Sequence, residues 1–223
     1  PVRGPSRGRT AGARGMTRAD VIVLGGGAAG LMCAVGAAGR GRRVIVLERN
    51  DRIGEKIRIS GGGRCNFTNT VTRAEHYLSD NSHFAKSALA RFTPDDFVGL
   101  VERHGIRYHE KTLGQLFCDR GSREIIALFE KECRSTGAMI VTGCDVREVT
   151  RNEQFRVSTG AGEFSADTLV VATGGLSIPK LGATDLGYRI ARQFGLSVND
   201  PRPGLGPLTL GGDDLAFASD LSG

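Results

Sequence analysis

Tryptophan is absent from this 223-residue chain, aromatic residues make up only 6% of it, and histidine occurs four times. No apolar run reaches the ~18 residues that a membrane-spanning helix needs, so the sequence offers no membrane span and no membrane partner is expected. The five cysteines, Cys33, Cys65, Cys118, Cys133 and Cys144, form an odd set without a Cys-x-x-Cys pair. That excludes a disulfide framework and a paired-cysteine metal site, and points to a reducing, cytoplasmic compartment. Cys33, Cys133 and Cys144 read as small buried apolar residues. The net charge of +6 invites nucleic acid, but Arg3, Arg7, Arg9 and Arg14 lie in a head (1–15) that holds no acid, and removing those four leaves +2 for the rest. Such a Gly/Arg-rich head lacks apolar residues to bury and is expected to be disordered. It also lacks the apolar core of a signal peptide. We read it as sequence upstream of a start at Met16.

With 39% hydrophobic and 24% charged residues, the chain can bury the core of one large domain, with the start of another. The informative stretch is Asp20-Val-Ile-Val-Leu-Gly-Gly-Gly-Ala-Ala-Gly30, followed by Val44-Ile-Val-Leu-Glu48. It reads as strand, glycine turn, helix, strand and acid. In the pattern G-x-G-x-x-G, Gly25 permits the tight turn, Gly27 lets backbone approach a pyrophosphate, and Gly30 lets the helix pack closely on its strand. Free amides at the helix start, around Ala28 and Ala29, face the phosphates, where the helix dipole favours an anion. Glu48, eighteen residues beyond Gly30, reaches a ribose hydroxyl pair and repels a 2'-phosphate.

Further along, 50–69 is a long glycine-bearing segment without a clear period, of the kind that is usually functional. Residues 83–104 read as helical around a break at Thr93-Pro94, and 106–109 and 115–118 as short strands. Ser122 starts a helix that Gly137 stops. Strands follow at 138–141, 146–149, 155–158 and 168–172, the last a buried apolar run, and a short helix spans 187–194. Strands alternating with helices predict an α/β fold with a mostly parallel sheet, helices on both faces and an added antiparallel hairpin at 146–164. The expected domains are the head (1–15), a nucleotide-binding domain (16–200) and the incomplete start of an inserted domain (201–223), where Pro201, Pro203 and Pro207 lie among glycines.

Two other motifs narrow the ligand. In Ile59-Ser60-Gly61-Gly62-Gly63-Arg64-Cys65-Asn66-Phe67-Thr68-Asn69, consecutive glycines expose amides that make an anion-binding concavity, and Arg64 adds a permanent charge. A reduced flavin accumulates negative charge at its N1 and O2 edge, which such a site stabilises. In Thr168-Leu-Val-Val-Ala-Thr-Gly-Gly175, an apolar strand ends where the chain must pass close to a ligand.

These blocks, with Gly114-Gln-Leu-Phe-Cys-Asp119, Ala172-Thr-Gly-Gly-Leu-Ser-Ile-Pro179 and Leu181-Gly-Ala183, resemble the HI0933-like (BaiN/RdsA) flavoprotein family over nearly everything after Met16. The resemblance implies a Rossmann-type FAD-binding domain of glutathione-reductase type, interrupted by an inserted domain near Pro207 and closed by a later segment. Family members usually carry a bulkier residue where this chain has Gly206. Carried over by position, Gly25, Gly27, Ala28, Ala29, Gly30, Glu48 and Arg49 hold the ADP half. Lys56, Ser60, Gly61, Gly62, Arg64, Cys65, Asn66 and Thr68 lie along pyrophosphate and flavin. Val146 meets the adenine, and Ala172, Thr173 and Gly174 lie near the diphosphate. The implied activity is reduction of a carbon–carbon double bond with NAD(P)H as donor. The Gly-Gln-Leu-Phe-Cys-Asp form points to uridine in ribosomal RNA, and oxidation of a small amine or a non-catalytic nucleotide-binding module are the alternatives. Cys65, Cys118, Tyr108 and His109 are the candidate proton donors, with no choice among them. A disulfide reductase of the same fold is opposed by Cys65 having no cysteine close to it in sequence.

Overall fold

Val21–Leu24 and Val44–Leu47 have identical sequences, Val-Ile-Val-Leu and Val-Ile-Val-Leu, and β-branched aliphatic runs of this kind form strands that must be covered on both faces. Both are fully buried. A computed structural model of the chain describes residues 16–204 and 211. The expectations for the arginine-rich head, for Gly206 and Pro207 and for most of the inserted segment fall outside those residues. The described part forms two units, one ending at Ile190 and one starting at Ala191.

In chain order the elements are β1 (Thr17–Arg18), β2 (Val21–Leu24), α1 (Ala28–Ala38), β3 (Val44–Leu47), α2 (Glu55–Ile59), β4 (Asn66–Asn69), α3 (Lys86–Arg91), α4 (Pro94–Arg103), β5 (Tyr108–Glu110), β6 (Gln115–Cys118), α5 (Arg123–Thr136), β7 (Met139–Val141), β8 (Val146–Arg151), β9 (Phe155–Thr159), β10 (Gly162–Ala166), β11 (Thr168–Val171) and α6 (Leu186–Gln193). A wholly parallel sheet runs β11-β2-β3-β7. A second sheet runs β1-β10-β9-β8, antiparallel except where β1 meets β10. The third, β4-β6-β5, is antiparallel.

The period-2 alternation of β2 and β3 divides their side chains between two cores. Val21, Val23, Val44 and Val46 meet Leu31, Ala34 and Ala38 of α1 and Ile125, Leu128 and Phe129 of α5. Ile22, Leu24, Ile45 and Leu47 meet Val149, Val157, Phe164 and Ala166 of the second sheet, with Ile190 of α6. The parallel sheet is therefore covered by helices on one face and largely by the β8–β10 meander on the other, rather than by helices on both faces as the sequence led us to expect. The meander is the expected hairpin extended by a third strand.

Three further expectations change. β11 is not a buried run: it sits at the sheet edge with one strand neighbour, and Thr168 and Val171 are exposed. Ser122 precedes α5, but its hydroxyl donates to the Arg58 carbonyl (2.7 Å) instead of capping the helix, so α5 starts without a side-chain cap. The segment 50–69 is not one loop; it holds α2, a 3-10 turn over Ser60–Gly63 and β4.

Candidate dinucleotide cleft

β2 stops at Leu24 because Gly25 turns the chain with φ +109, and a Cβ there would lie 2.5 Å from the Ala172 carbonyl oxygen at the end of β11. A Cβ on Gly30 would stand 1.9 Å from the Gly25 oxygen and 3.2 Å from Val23, so α1 is seated against the turn that starts it. Gly27 differs: nothing lies within 4 Å of where its Cβ would be. It is the N-cap of α1, it makes no side-chain cap, and no acid occupies the first turn. The first amides of α1 have no acceptor within the helix, and the open side of Gly27 leaves them facing space rather than protein.

Glu48, 8% exposed, closes the turn from the other side. Its Oε2 accepts from the Gly26 N–H (2.6 Å) and its Oε1 from the Asn50 N–H (2.8 Å). Each oxygen keeps a lone-pair direction for a ligand hydroxyl. Gly26 was not among the residues singled out from sequence, yet a Cβ there would meet Ile53 at 2.9 Å and Glu48 Oε2 at 3.0 Å. The signal was visible: the chain has three successive glycines where the fingerprint asks for two.

These groups open on a cleft of about 560 Å³. Of the residues expected at the site, Gly25, Gly27, Ala28, Ala29, Glu48, Arg49, Lys56, Val146, Ala172, Thr173 and Gly174 line it, and Gly30 lies directly behind the turn. Lys56 lines the cleft and is tied to the loop after β11, donating from Nζ to the Gly175 carbonyl (3.2 Å) and the Ser177 hydroxyl (3.1 Å). Arg49 pairs with Asp145 (3.3 Å) at the rim. The sequence reading missed Asn50, Cys144, Asp145 and most of Thr184–Arg189, which also line the cleft. Asn50 donates to the Leu181 carbonyl (3.3 Å), and Gly182 packs where a Cβ would be 2.8 Å from the Asn50 side-chain oxygen. Burial pushes the Cys144 thiol up.

Ser60, Gly61, Gly62, Arg64, Cys65, Asn66 and Thr68 are not in that lining, which ends on this side at Ile57. Ser60, Gly61 and Gly62 form the 3-10 turn that continues α2, with Gly61 and Gly62 left-handed (φ +55 and +65). A Cβ on Gly61 would stand 2.7 Å from the Phe117 ring, so the bend lies on β6. Arg64 is exposed, Cys65 is buried, and Asn66 and Thr68 lie in β4.

Of the candidate proton donors, Tyr108 gives its hydroxyl to Glu102 (2.8 Å), and that bond to a carboxylate pushes its pKa up. His109 Nδ1 meets Asp119 Oδ1 at 2.7 Å on the exposed side of β5, and its ring stacks on Phe117. Cys118 is fully buried and lies beside Cys65. The thiol hydrogen bond from Cys118 pulls Cys65 down to about 7 against the opposing effect of burial, with a smaller contribution from Ser60. Cys118 is pushed up by the same hydrogen bond and by burial. Among the described residues no group of side chains is arranged to hold a metal, and no helix is long and apolar enough to cross a membrane.

The HI0933-like protein Rossmann domain, as a family model, matches residues 19–219. The chain belongs to the HI0933-like family. Among HI0933-like relatives, the ribosomal RNA dihydrouridine synthase of Haemophilus influenzae is 48% identical over 207 residues, 91% of this chain and 51% of that protein. The 3-dehydro-bile acid delta(4,6)-reductase of Clostridium scindens is 30% identical over 188 residues, 82% of this chain and 46% of that protein. The chain thus spans about half the length of the curated relatives it matches. The open conformation of a flavocytochrome c3 fumarate reductase superposes with a TM-score of 0.57 at 20% identity, covering 82% of this chain and 42% of that one, which shows the shared fold.

Proposed function

We propose that this chain is the FAD-binding part of an oxidoreductase that saturates a carbon–carbon double bond with electrons from NAD(P)H, its substrate a uridine of ribosomal RNA. The observation that carries the first clause is the uncapped start of α1 opening, beside a buried acid, onto a cleft that no neighbouring side chain fills. The residues fit an adenine dinucleotide. The amides of Gly27, Ala28 and Ala29 would hold the pyrophosphate, Glu48 the ribose hydroxyls, and Lys56 would add a positive charge. Glu48 turns away a 2'-phosphate, so the cleft selects FAD over a 2'-phosphorylated nucleotide. Bound FAD supplies hydride transfer. The double-bond clause is supported by the printed names of the two relatives, which describe formation of dihydrouridine and reduction of a bile-acid enone, and the uridine clause by the higher identity to the former.

Gly27→Asp tests the cleft. Its side chain enters open space and caps α1, so the fold is kept while a carboxylate takes the place of the phosphates. The purified protein is expected to bind added FAD and the variant to lose at least ~100-fold in affinity, since each 1.4 kcal/mol is tenfold and a carboxylate both repels and displaces the phosphates. Equal FAD binding by both proteins, or by neither, overturns the reading. For the substrate, incubation of the whole oxidoreductase that contains this chain with FAD, NADPH and ribosomal RNA should produce dihydrouridine detectable by nucleoside mass spectrometry. Reduction of a steroid enone with the RNA left unchanged removes the uridine clause and leaves the rest.

A further inference from the structure

Cys65 follows the triple-glycine bend and Cys118 ends β6, and nothing in their spacing along the chain connects them. The sheet does. β4 and β6 are antiparallel with Asn66 opposite Phe117, so the residue before one and the residue after the other come face to face. The Cys118 N–H is directed at the carbonyls of Arg64 (3.1 Å) and Cys65 (3.4 Å). The two thiols lie close enough for each to shift the other's acidity. Directly opposed antiparallel residues have Cα atoms about 4.5–5.5 Å apart, within the range of about 4.4–6.8 Å that a disulfide spans. Cys65 is one of three non-glycine residues at positive φ among the described residues (φ +57). Left-handed backbone at a cysteine turns its side chain out of the regular alternation of the strand.

We propose that Cys65 and Cys118 are a redox-active dithiol that a hydroperoxide closes to a disulfide and a thiol reductant reopens. The Cys65 sulfur attacks the peroxide, forming an S–O bond as the O–O bond breaks and the alcohol or water leaves with a proton. The Cys118 sulfur then attacks the Cys65 sulfur. The S–S bond forms, the S–O bond breaks, and the hydroxyl leaves as water with the Cys118 proton. Two thiols are oxidised by two electrons and one peroxide bond is reduced. Their mutual effect on acidity favours this order. It leaves Cys65 substantially ionised near neutrality, as a nucleophile must be, and keeps the proton on Cys118. Cys65 is buried, but Arg64 and Asn66 on either side are exposed and the preceding bend carries no side chains, so little has to move for a peroxide to reach it. This assignment does not depend on which nucleotide the cleft holds.

The test is a peptide map of the intact, non-reduced protein after hydrogen peroxide. Trypsin separates the two cysteines into peptides 65–73 and 112–120, and the expected product is those two joined, lighter by two hydrogens and released by dithiothreitol. In denaturant without reductant, which opens the buried Cys133 and Cys144 to the reagent, two of the five thiols should then be unreactive to a maleimide while Cys33, Cys133 and Cys144 stay titratable. Cys118→Ser removes the resolving thiol and should leave Cys65 labelled by dimedone as a sulfenic acid. Survival of all five thiols, a crosslink to a different cysteine, or Cys65 passing to a sulfinic acid while Cys118 stays a free thiol would each overturn the proposal. The peptide map needs no variant, so the outcome does not rest on whether Cys118→Ser folds.

Discussion

Glycines that look alike in the fingerprint have different neighbours, and substitutions should tell them apart. A methyl group on Gly30 has to displace the Gly25 carbonyl, a backbone atom 1.9 Å from its position, whereas one on Gly27 meets nothing within 4 Å. Gly30→Ala is therefore expected to cost about 3 kcal/mol, the upper end of the usual overpacking penalty, while Gly27→Ala, which loses only the preference of an N-cap for glycine over alanine, costs about 0.5–1 kcal/mol. Urea denaturation followed by circular dichroism measures both; equal stabilities for the two variants would show that the turn relaxes freely. At this scale much was legible, because a strand–turn–helix fingerprint limits what each glycine can do. The acid at 48 was legible as well, though not its partners: the bonds to Gly26 and Asn50 follow from how tightly the second strand packs on the turn. The adjacency of Cys65 and Cys118 was invisible, since it depends on a register between two strands of which one, β4, was read as loop.

Among the elements, most helices and strands were readable, the short β5, β6 and β7 included, while others, α2, β1 and β4 among them, were not. The Thr93-Pro94 break separates α3 from α4 as expected, and the reason is a complete capping arrangement. Thr93 Oγ1 accepts from the Asp96 N–H (3.2 Å), and Asp96 accepts from the Thr93 N–H (2.7 Å), with Pro94 preset for the first turn. Thr93→Ala should cost about 1 kcal/mol, read as a lowered midpoint in thermal unfolding. Ser122→Ala provides the contrast. Its hydroxyl ties α5 to the Arg58 carbonyl, so the loss should appear as faster amide exchange around Arg58–Arg64 rather than as fraying of α5. Sequence alone placed a cap at Ser122 because serine before an acid resembles one; the tertiary acceptor took the hydroxyl instead. β1 and β4, of two and four residues, carry too little periodicity to be read without their partners Phe164–Ser165 and Gln115–Phe117.

At the scale of the molecule, the cleft is assembled from segments that are distant in sequence: the turn after β2, the stretch from β3 through α2, the approach to β8, and the loop after β11 up to Arg189. An unfolded chain cannot present these together, so a ligand that bridges them binds the native state alone and stabilises it by mass action. At a concentration 100 times its dissociation constant the gain is about 2.7 kcal/mol, and for a domain of roughly this size that raises the melting temperature by about 5–11 °C. The comparison that matters is among FAD, ADP and FMN at a common high concentration. The lining runs from the Gly25–Ala29 turn and Glu48 to Ala172–Gly174 and stops at Ile57, short of the triple-glycine bend, so the proposed reading rests on the ADP half of the ligand. At a common concentration ADP should reproduce a substantial part of the FAD shift and FMN, which lacks the adenosine, should give little. A shift with FMN equal to that with FAD, and none with ADP, would place recognition on the Ser60–Thr68 segment and leave the fingerprint turn as a structural device.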